Sequence, residues 1–153
     1  DKVVVRPSPP PATPIQTRKD EYQVLEDSIH SDPDLDLQSG DELCFAQPGV
    51  RHGVLKKLKR GQYAVMAVLD LHGLFVREAH ELLIDFIQTN RAAGHQCVRI
   101  IHGKGRRSPH GRPVLKNKIF NWLQHRDEVL AFCSARRNDG GTGAIYVLLK
   151  RSF

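Results

Sequence analysis

AVMAVLDLHG (64–73) and QCVRIIHGKG (96–105) decide the fold between them. Each is a β-type apolar run closed by glycine, and both end in the same His-Gly pair, His72-Gly73 and His102-Gly103. Between them Val76, Ala79, Leu82, Leu83, Phe86 and Ile87 recur at helical spacing, and Gly94 supplies a stop. Two strands joined through a helix run parallel with a right-handed crossover, so their carboxyl ends lie on one edge of the sheet. Both His-Gly pairs should therefore emerge where open α/β sheets usually place their ligands.

The chain falls into order outward from that unit. Upstream, PGVRHGVLKKLKRGQY (48–63) puts Val50, Val54, Leu55 and Leu58 on one helical face and basic residues around the rest, with Gly61 as its end. This short basic helix can lie on a phosphate backbone; equally, it can cap the domain and leave a solvated basic face. Downstream, the polar loop RRSPHGR (106–112) leads to Pro113, suited to a first helical turn. Leu115, Ile119, Trp122 and Leu123 mark the inner face of that second helix. EVLAFCSA (128–135) and GAIYVLLK (143–150) read as two more strands joined by RRNDGGTG. The expected fold is an α/β two-layer sandwich of order β-α-β-α-β-β, with a four-stranded mixed sheet and two helices, preceded by the short basic helix. Residues 64–153 form that domain, 48–63 the lead-in helix and 1–47 an arm.

The arm differs in kind. Five prolines fall within PSPPPATP (7–14), which favours an extended polyproline-type segment. The stretch 20–43 is acidic, and its Tyr22, Val24, Leu25 and Ile29 could form a helical turn or two or dock on the domain. Residues 1–47 hold ten acids against four Lys/Arg, a net of −6, within a chain of formal net charge +6. The remainder therefore carries +12, and a domain this basic points to a polyanionic partner, nucleic acid being the commonest. The plainer alternative is a solubilising surface.

At 153 residues and 17.3 kDa, one domain with a tail is expected. No apolar run approaches the roughly 20 residues that span a bilayer, so no membrane partner is expected. No basic-then-apolar leader opens the chain, which starts at Asp1 and reads as a trimmed piece. Cys44, Cys97 and Cys133 are odd in number and follow no C-x-x-C spacing, which suits a reducing cytoplasm and argues against a disulfide framework or zinc site.

The chemistry gathers at the shared edge. Side chains two apart on a strand share a face, so Asp70 and His72 point the same way while Leu69 and Leu71 point into the other layer. A carboxylate beside an imidazole fixes its tautomer, and histidine is the usual mover of protons near neutral pH. In HGKG, Gly103 and Gly105 allow close backbone approach, and their N–H groups are expected to form an anion nest. Lys104 adds a point charge that Arg106 and Arg107 extend. The G-x-x-x-x-G-K-[ST] of a nucleotide P-loop is absent. The glycine loop GGTG (140–143) reads as a hairpin turn or as a second wall of the site, through Gly141 and Gly143. His52, His80, His95, His110 and His125 show no pairing logic and no H-E-x-x-H spacing, and are expected on the surface.

LDLHG with Glu78-Ala79, HGKG at 102–105 and GGTGAIYVLL at 140–149 together resemble the Smr (small MutS-related) family, in its order and spacing over about residues 65–150. RHGVLKKLKRGQY (51–63) also resembles the lead-in of stand-alone bacterial Smr proteins of the SmrA and SmrB type, nearer to the SmrA kind. The resemblance implies a β-α-β-α-β-β sandwich like the C-terminal domain of a bacterial translation initiation factor. It also implies an endonuclease acting on DNA, often by nicking, or on RNA. The family's D-L-H-G maps onto Asp70, Leu71, His72 and Gly73, and its H-G-x-G onto His102, Gly103, Lys104 and Gly105.

Three expectations follow. The leading one is phosphodiester cleavage within a strand: Asp70 orients His72 as general base or acid, while His102 and Lys104 stabilise phosphate charge above a cradle of glycine N–H groups. Gly73, Arg106, Arg107, Arg51, Lys56 and Lys59 would help to hold the strand. The second is a non-catalytic DNA- or RNA-binding module, and the third an adaptor docking on the ribosome or a protein. The chain is expected to act as a monomer. No cofactor is required on this reading, because only Asp70 is a sure carboxylate at the edge and Asp139 an uncertain one, although Mg²⁺ or Mn²⁺ stays an alternative.

Overall fold

Strands buried on both faces read as near-continuous apolar runs, as AIYVLL (144–149) does in this chain. The computed structural model describes residues 3–5, 40–104 and 114–151. Its elements in chain order are β1 (Val3–Val5), β2 (Cys44–Ala46), α1 (His52–Lys59), β3 (Ala67–Asp70), α2 (Val76–Ala92), β4 (Cys97–Ile101), α3 (Val114–Gln124), β5 (Val129–Ser134) and β6 (Ala144–Leu149). Two short 3₁₀ turns, Arg137–Asp139 and Gly141–Gly143, lie between β5 and β6. The expected β-α-β-α-β-β order is present from β3 to β6.

β3 and β4 pair in parallel, and β6 runs antiparallel to both β4 and β5. The carboxyl ends of β3, β4 and β5 and the start of β6 therefore share one edge, which carries both His-Gly pairs and the glycine loop. The sheet has six strands in the order β1-β3-β4-β6-β5-β2, and not the four expected. The two additions close its sides: β1 pairs parallel with β3, and β2 antiparallel with β5. Both come from the stretch 1–47. A sheet edge presents unpaired N–H and C=O groups, and short β-prone triplets satisfy them. Val3-Val4-Val5 and Cys44-Phe45-Ala46 are such triplets, overshadowed in the sequence by the prolines and acids around them. The proline run, Tyr22, Val24, Leu25, Ile29 and Pro113 lie outside the described residues.

One face of the sheet carries α2 and α3. Leu69, Leu71, Val98, Ile100, Ile145 and Val147 meet Leu83, Phe86, Ile87, Ile119 and Leu123 there. Each such side chain, fully buried, stabilises by about 1.5–3 kcal/mol. The other face is covered in part by α1, whose Leu58 is buried against Cys97, Ala131, Cys133, Tyr146 and Leu148. The lead-in helix thus adds a partial third layer behind the two-layer sandwich. All six residues of β6 are buried, which is why its AIYVLL shows no alternation. Among the described residues no helix is long and apolar enough to cross a membrane.

Candidate functional site

β3 ends at Asp70, and the chain turns over Leu71–Leu74. The Leu74 N–H donates to the Leu71 carbonyl at 3.2 Å. Gly73 sits in that turn at φ +78°, a left-handed conformation that glycine adopts without steric cost. The turn exposes His72 and folds it back over Asp70. One carboxylate oxygen of Asp70 accepts the His72 backbone N–H at 3.1 Å and also the ring Nδ1–H. With backbone and ring each held once, Nε2 is left as the ring atom with a free lone pair. The His72 side chain is 66 % exposed and that of Asp70 19 %, so the imidazole faces solvent while the carboxylate that holds it is shielded.

β4 ends one residue out of step with β3. Asp70 pairs with Ile101, and the Leu71 N–H donates to the Ile101 carbonyl at 2.7 Å. His72 consequently stands level with Gly103 and not with His102. A Cβ on Gly103 would come within 3.2 Å of the His72 Cβ. His102, one position earlier, turns into the layer of α2 and α3 and is 3 % exposed. Its Nδ1–H donates to the Gly103 carbonyl at 2.7 Å. Its Nε2 is buried and has no hydrogen-bond partner among the described residues. Burial pushes its pKa down to about 4; the bond to Gly103 opposes this, and the nearby Lys116 ammonium adds to it. Burial therefore favours the neutral form of His102, expected to stabilise phosphate charge, and the structure places it inside the layer of α2 and α3 while His72 is exposed.

The expected glycine cradle is corrected at Gly103. The N–H groups of His102 and Gly103 both donate to the Gly143 carbonyl, at 3.0 and 2.9 Å. Gly143 donates to Gly140 and Gly141 to Arg136. Of the two glycine N–H groups expected to form the nest, that of Gly103 is thus spent inside the fold. Gly105, Arg106 and Arg107 lie outside the described residues. What Gly143 provides is room: a Cβ there would meet Lys104 Cγ at 3.1 Å. The glycine loop is at once the β5–β6 hairpin connection and the wall against which Lys104 runs. Lys104 itself is exposed at the edge. Arg51, Lys56 and Lys59 are exposed along α1, which packs on the sheet face opposite to His102.

Asp139 is committed elsewhere. It accepts the Tyr146 hydroxyl proton, and the Arg99 Nη1 donates to its backbone carbonyl at 3.1 Å and lies 3.6 Å from its carboxylate. The Arg136 N–H donates to the same Tyr146 oxygen at 3.3 Å. This Arg99–Asp139–Tyr146 network, absent from the expectations above, anchors the loop that holds Gly103. An arginine and a tyrosine inside otherwise apolar strands were its signal. Arg136 and Arg137 were also missed; both are exposed at the edge, directly after β5. Gly61, at the end of α1, would place a Cβ 2.6 Å from Arg136 Cδ. The basic helix therefore ends beside these arginines and continues their charge.

The remaining histidines and cysteines serve the packing. His80 stacks edge-on against Trp122, with ring centroids 4.7 Å apart, and His95 pairs with Asn90 at 2.6 Å, so neither is a plain surface residue. Cys97 and Cys133 are buried free thiols pushed up to about 12 by burial, poor candidates for a nucleophile. Among the described residues no three of His, Cys, Asp and Glu gather in a metal-ligating cluster.

Known proteins are similar to this chain in sequence and in fold. A family model described as the Smr domain matches residues 69–150. The chain is 39 % identical over 110 residues to the probable DNA endonuclease SmrA of Escherichia coli K12, covering 72 % of this chain and 59 % of that protein. It is 36 % identical over 118 residues to the ribosome rescue factor SmrB of Yersinia enterocolitica, covering 77 % and 62 %. The chain thus spans about three fifths of the length of these curated relatives. Among solved structures, YdaL, a stand-alone small MutS-related protein from Escherichia coli, superposes with a TM-score of 0.66 at 38 % identity, over 76 % of this chain and 88 % of that one.

Proposed function

This chain belongs to the Smr domain family, and on that premise we propose that it is a nucleic-acid phosphodiesterase cutting within a strand, with His72 as general base. The observation that carries the reading is the Asp70–His72 pair. One carboxylate oxygen holds both the backbone and the ring of an exposed histidine, so a single nitrogen is presented to solvent at the sheet edge. In this mechanism Nε2 takes a proton from the attacking oxygen, which is the 2′-hydroxyl or a water on RNA and water on DNA. Asp70 holds the tautomer and shares the charge that forms on the ring. Lys104, Arg136 and Arg137 supply positive charge toward the phosphate. His102 and Gly143 act behind them, fixing the Gly103 backbone against which His72 packs.

SmrA is named a probable DNA endonuclease and SmrB a ribosome rescue factor. Both names are compatible with a polyanionic strand at this edge, and a ribosome-associated RNA is the second substrate that the SmrB likeness favours. The deciding experiment incubates the purified chain with matched single-stranded and duplex DNA and RNA. Cleavage by the parent, with retained binding but lost cleavage in His72→Ala, supports the reading. Equal cleavage by His72→Ala would overturn the role of that residue, and binding without cleavage by the parent would leave a non-catalytic binding module.

A further inference from the structure

Phe75 stands apart from the other large apolar residues described by its exposure. It is 73 % exposed, whereas the other exposed large hydrophobic residues among those described, Val5 and Val114, reach 37 %. Its neighbours Leu74 and Val76 both pack against the main core. It also occupies the N-cap position of α2, at φ −68° and ψ 153°, and makes no side-chain cap. Ser, Thr, Asp or Asn there would satisfy an orphan N–H, and an apolar replacement typically forgoes about 0.5–2 kcal/mol. One exposed apolar side chain on a surface is ordinary. One that also displaces a helix cap, three residues beyond the exposed His72, breaks two local rules at the rim of the site. Such breaks concentrate where function requires them.

We infer that Phe75 is a stacking platform for an unpaired nucleobase beside the phosphate served by His72, so that the site selects single-stranded nucleic acid. Residues three apart lie within about 10 Å along the backbone, and the Gly73 turn holds this segment compact. A base on the ring therefore belongs to a nucleotide close to the one at His72. The exposed Lys104, Arg136 and Arg137 at the same edge complete the pairing of aromatic ring and cations that binds single strands without reading their sequence. A base inside a duplex is covered on both faces by its neighbours and has no face to offer. Selection for unpaired strands follows from the ring alone, whichever sugar the strand carries.

The inference rests on the nucleic-acid reading above, and its test separates the two. Fluorescence anisotropy is measured with a short labelled single strand in DNA and in RNA form, with the corresponding duplex, and with a strand of abasic sugar-phosphates. The parent should prefer the ordinary single strand. Phe75→Ala should weaken that binding about tenfold or more and leave duplex and abasic binding unchanged. Phe75→Trp should restore it. Phe75→Leu, which keeps the apolar bulk but not the ring, should behave like alanine. Melting temperatures of all variants should match the parent, because the ring is not part of the core. Ordinary single-strand binding unchanged in Phe75→Ala, or an equal loss on the abasic strand, overturns the stacking role alone. No binding of any nucleic acid by the parent overturns the proposed function with it.

Discussion

His72-Gly73 and His102-Gly103 are the same dipeptide at the ends of neighbouring parallel strands, and they do opposite things. The first histidine is exposed, held by a carboxylate and presents a ring nitrogen to solvent. The second is buried, neutral and bonded to the next residue's carbonyl. Their strands end one residue out of step, so His72 lies level with Gly103. A single step reverses which face of a sheet a side chain meets. Two matching motifs at one edge therefore need not form a symmetrical pair: here one presents its ring to solvent, and the proposed chemistry is assigned to it, while the other is built into the scaffold.

The largest effects should come from the exposed pair. His72→Ala is expected to lower cleavage by about 10²-fold or more, the usual contribution of a general base, with affinity and melting temperature near those of the parent. Asp70→Asn keeps a side chain of the same shape but lets the ring lose its fixed tautomer, and should lower the rate in the same direction. Initial rates on a labelled strand check both. A His102→Gln variant that lost rate as steeply as His72→Ala, while keeping full stability, would break the division of roles.

That division predicts a different phenotype for His102. Its folded pKa, about 4, lies below the ordinary histidine value of 6.5. Between those values the unfolded chain takes up a proton that the native state refuses, so stability falls as pH drops from 6.5 toward 4. The full span corresponds to about 3 kcal/mol. Urea unfolding at several pH values should show this slope, and His102→Gln should flatten it in part. Only in part, since His80 is also held below its usual value, by burial first and then by Arg126.

The order of elements from β3 to β6, the shared edge and the Asp70–His72 pair were all legible in the sequence, because hydrophobic period and strand parity encode them directly. The one-residue offset was not, since register depends on which backbone groups pair across strands. The fate of the glycine N–H groups was hidden for the same reason: a glycine signals freedom of the backbone, and only the fold shows whether that freedom serves a ligand or, as with Gly143, a neighbouring strand. The edge strands β1 and β2 were masked by their proline-rich and acidic surroundings. The Arg99–Asp139–Tyr146 network joins residues on β4, the loop and β6, with no local sequence pattern to announce it.

The faces of the sheet offer a gentler test. Asp70 shares a face with Cys97 and Tyr146, against which α1 packs, whereas His102 points the other way. The charge on α1 therefore lies on the side of the proposed base. Replacing Lys56 and Lys59 together by Ala should weaken binding at low salt and reduce the slope of log affinity against log salt by up to about 2, near one for each phosphate no longer neutralised. Cleavage at saturating substrate should hold. An unchanged slope would make α1 a structural cap whose basic face only keeps the protein in solution.

The smallest expected effect is that of a chelator, and it follows from where the carboxylates are engaged. Hard divalent cations that activate phosphodiester hydrolysis are held by several oxygen ligands. Asp139, the acid that the glycine loop could have contributed, is bonded to Tyr146 and beside Arg99. Asp70 already holds the backbone and ring of His72 with one oxygen. Glu78 belongs to the first turn of α2, past the Gly73 turn. With one Asp70 oxygen taken by His72, only the other is left for a cation, and a single carboxylate oxygen is far short of the several oxygen ligands a hard divalent ion needs. Cleavage should accordingly proceed at an undiminished rate in excess chelator, with added Mg²⁺ acting mainly by screening the strand. Activity abolished by chelator and restored by stoichiometric Mg²⁺ or Mn²⁺ would overturn this, and would turn the Asp70–His72 pair from an acid–base couple into the start of a coordination shell.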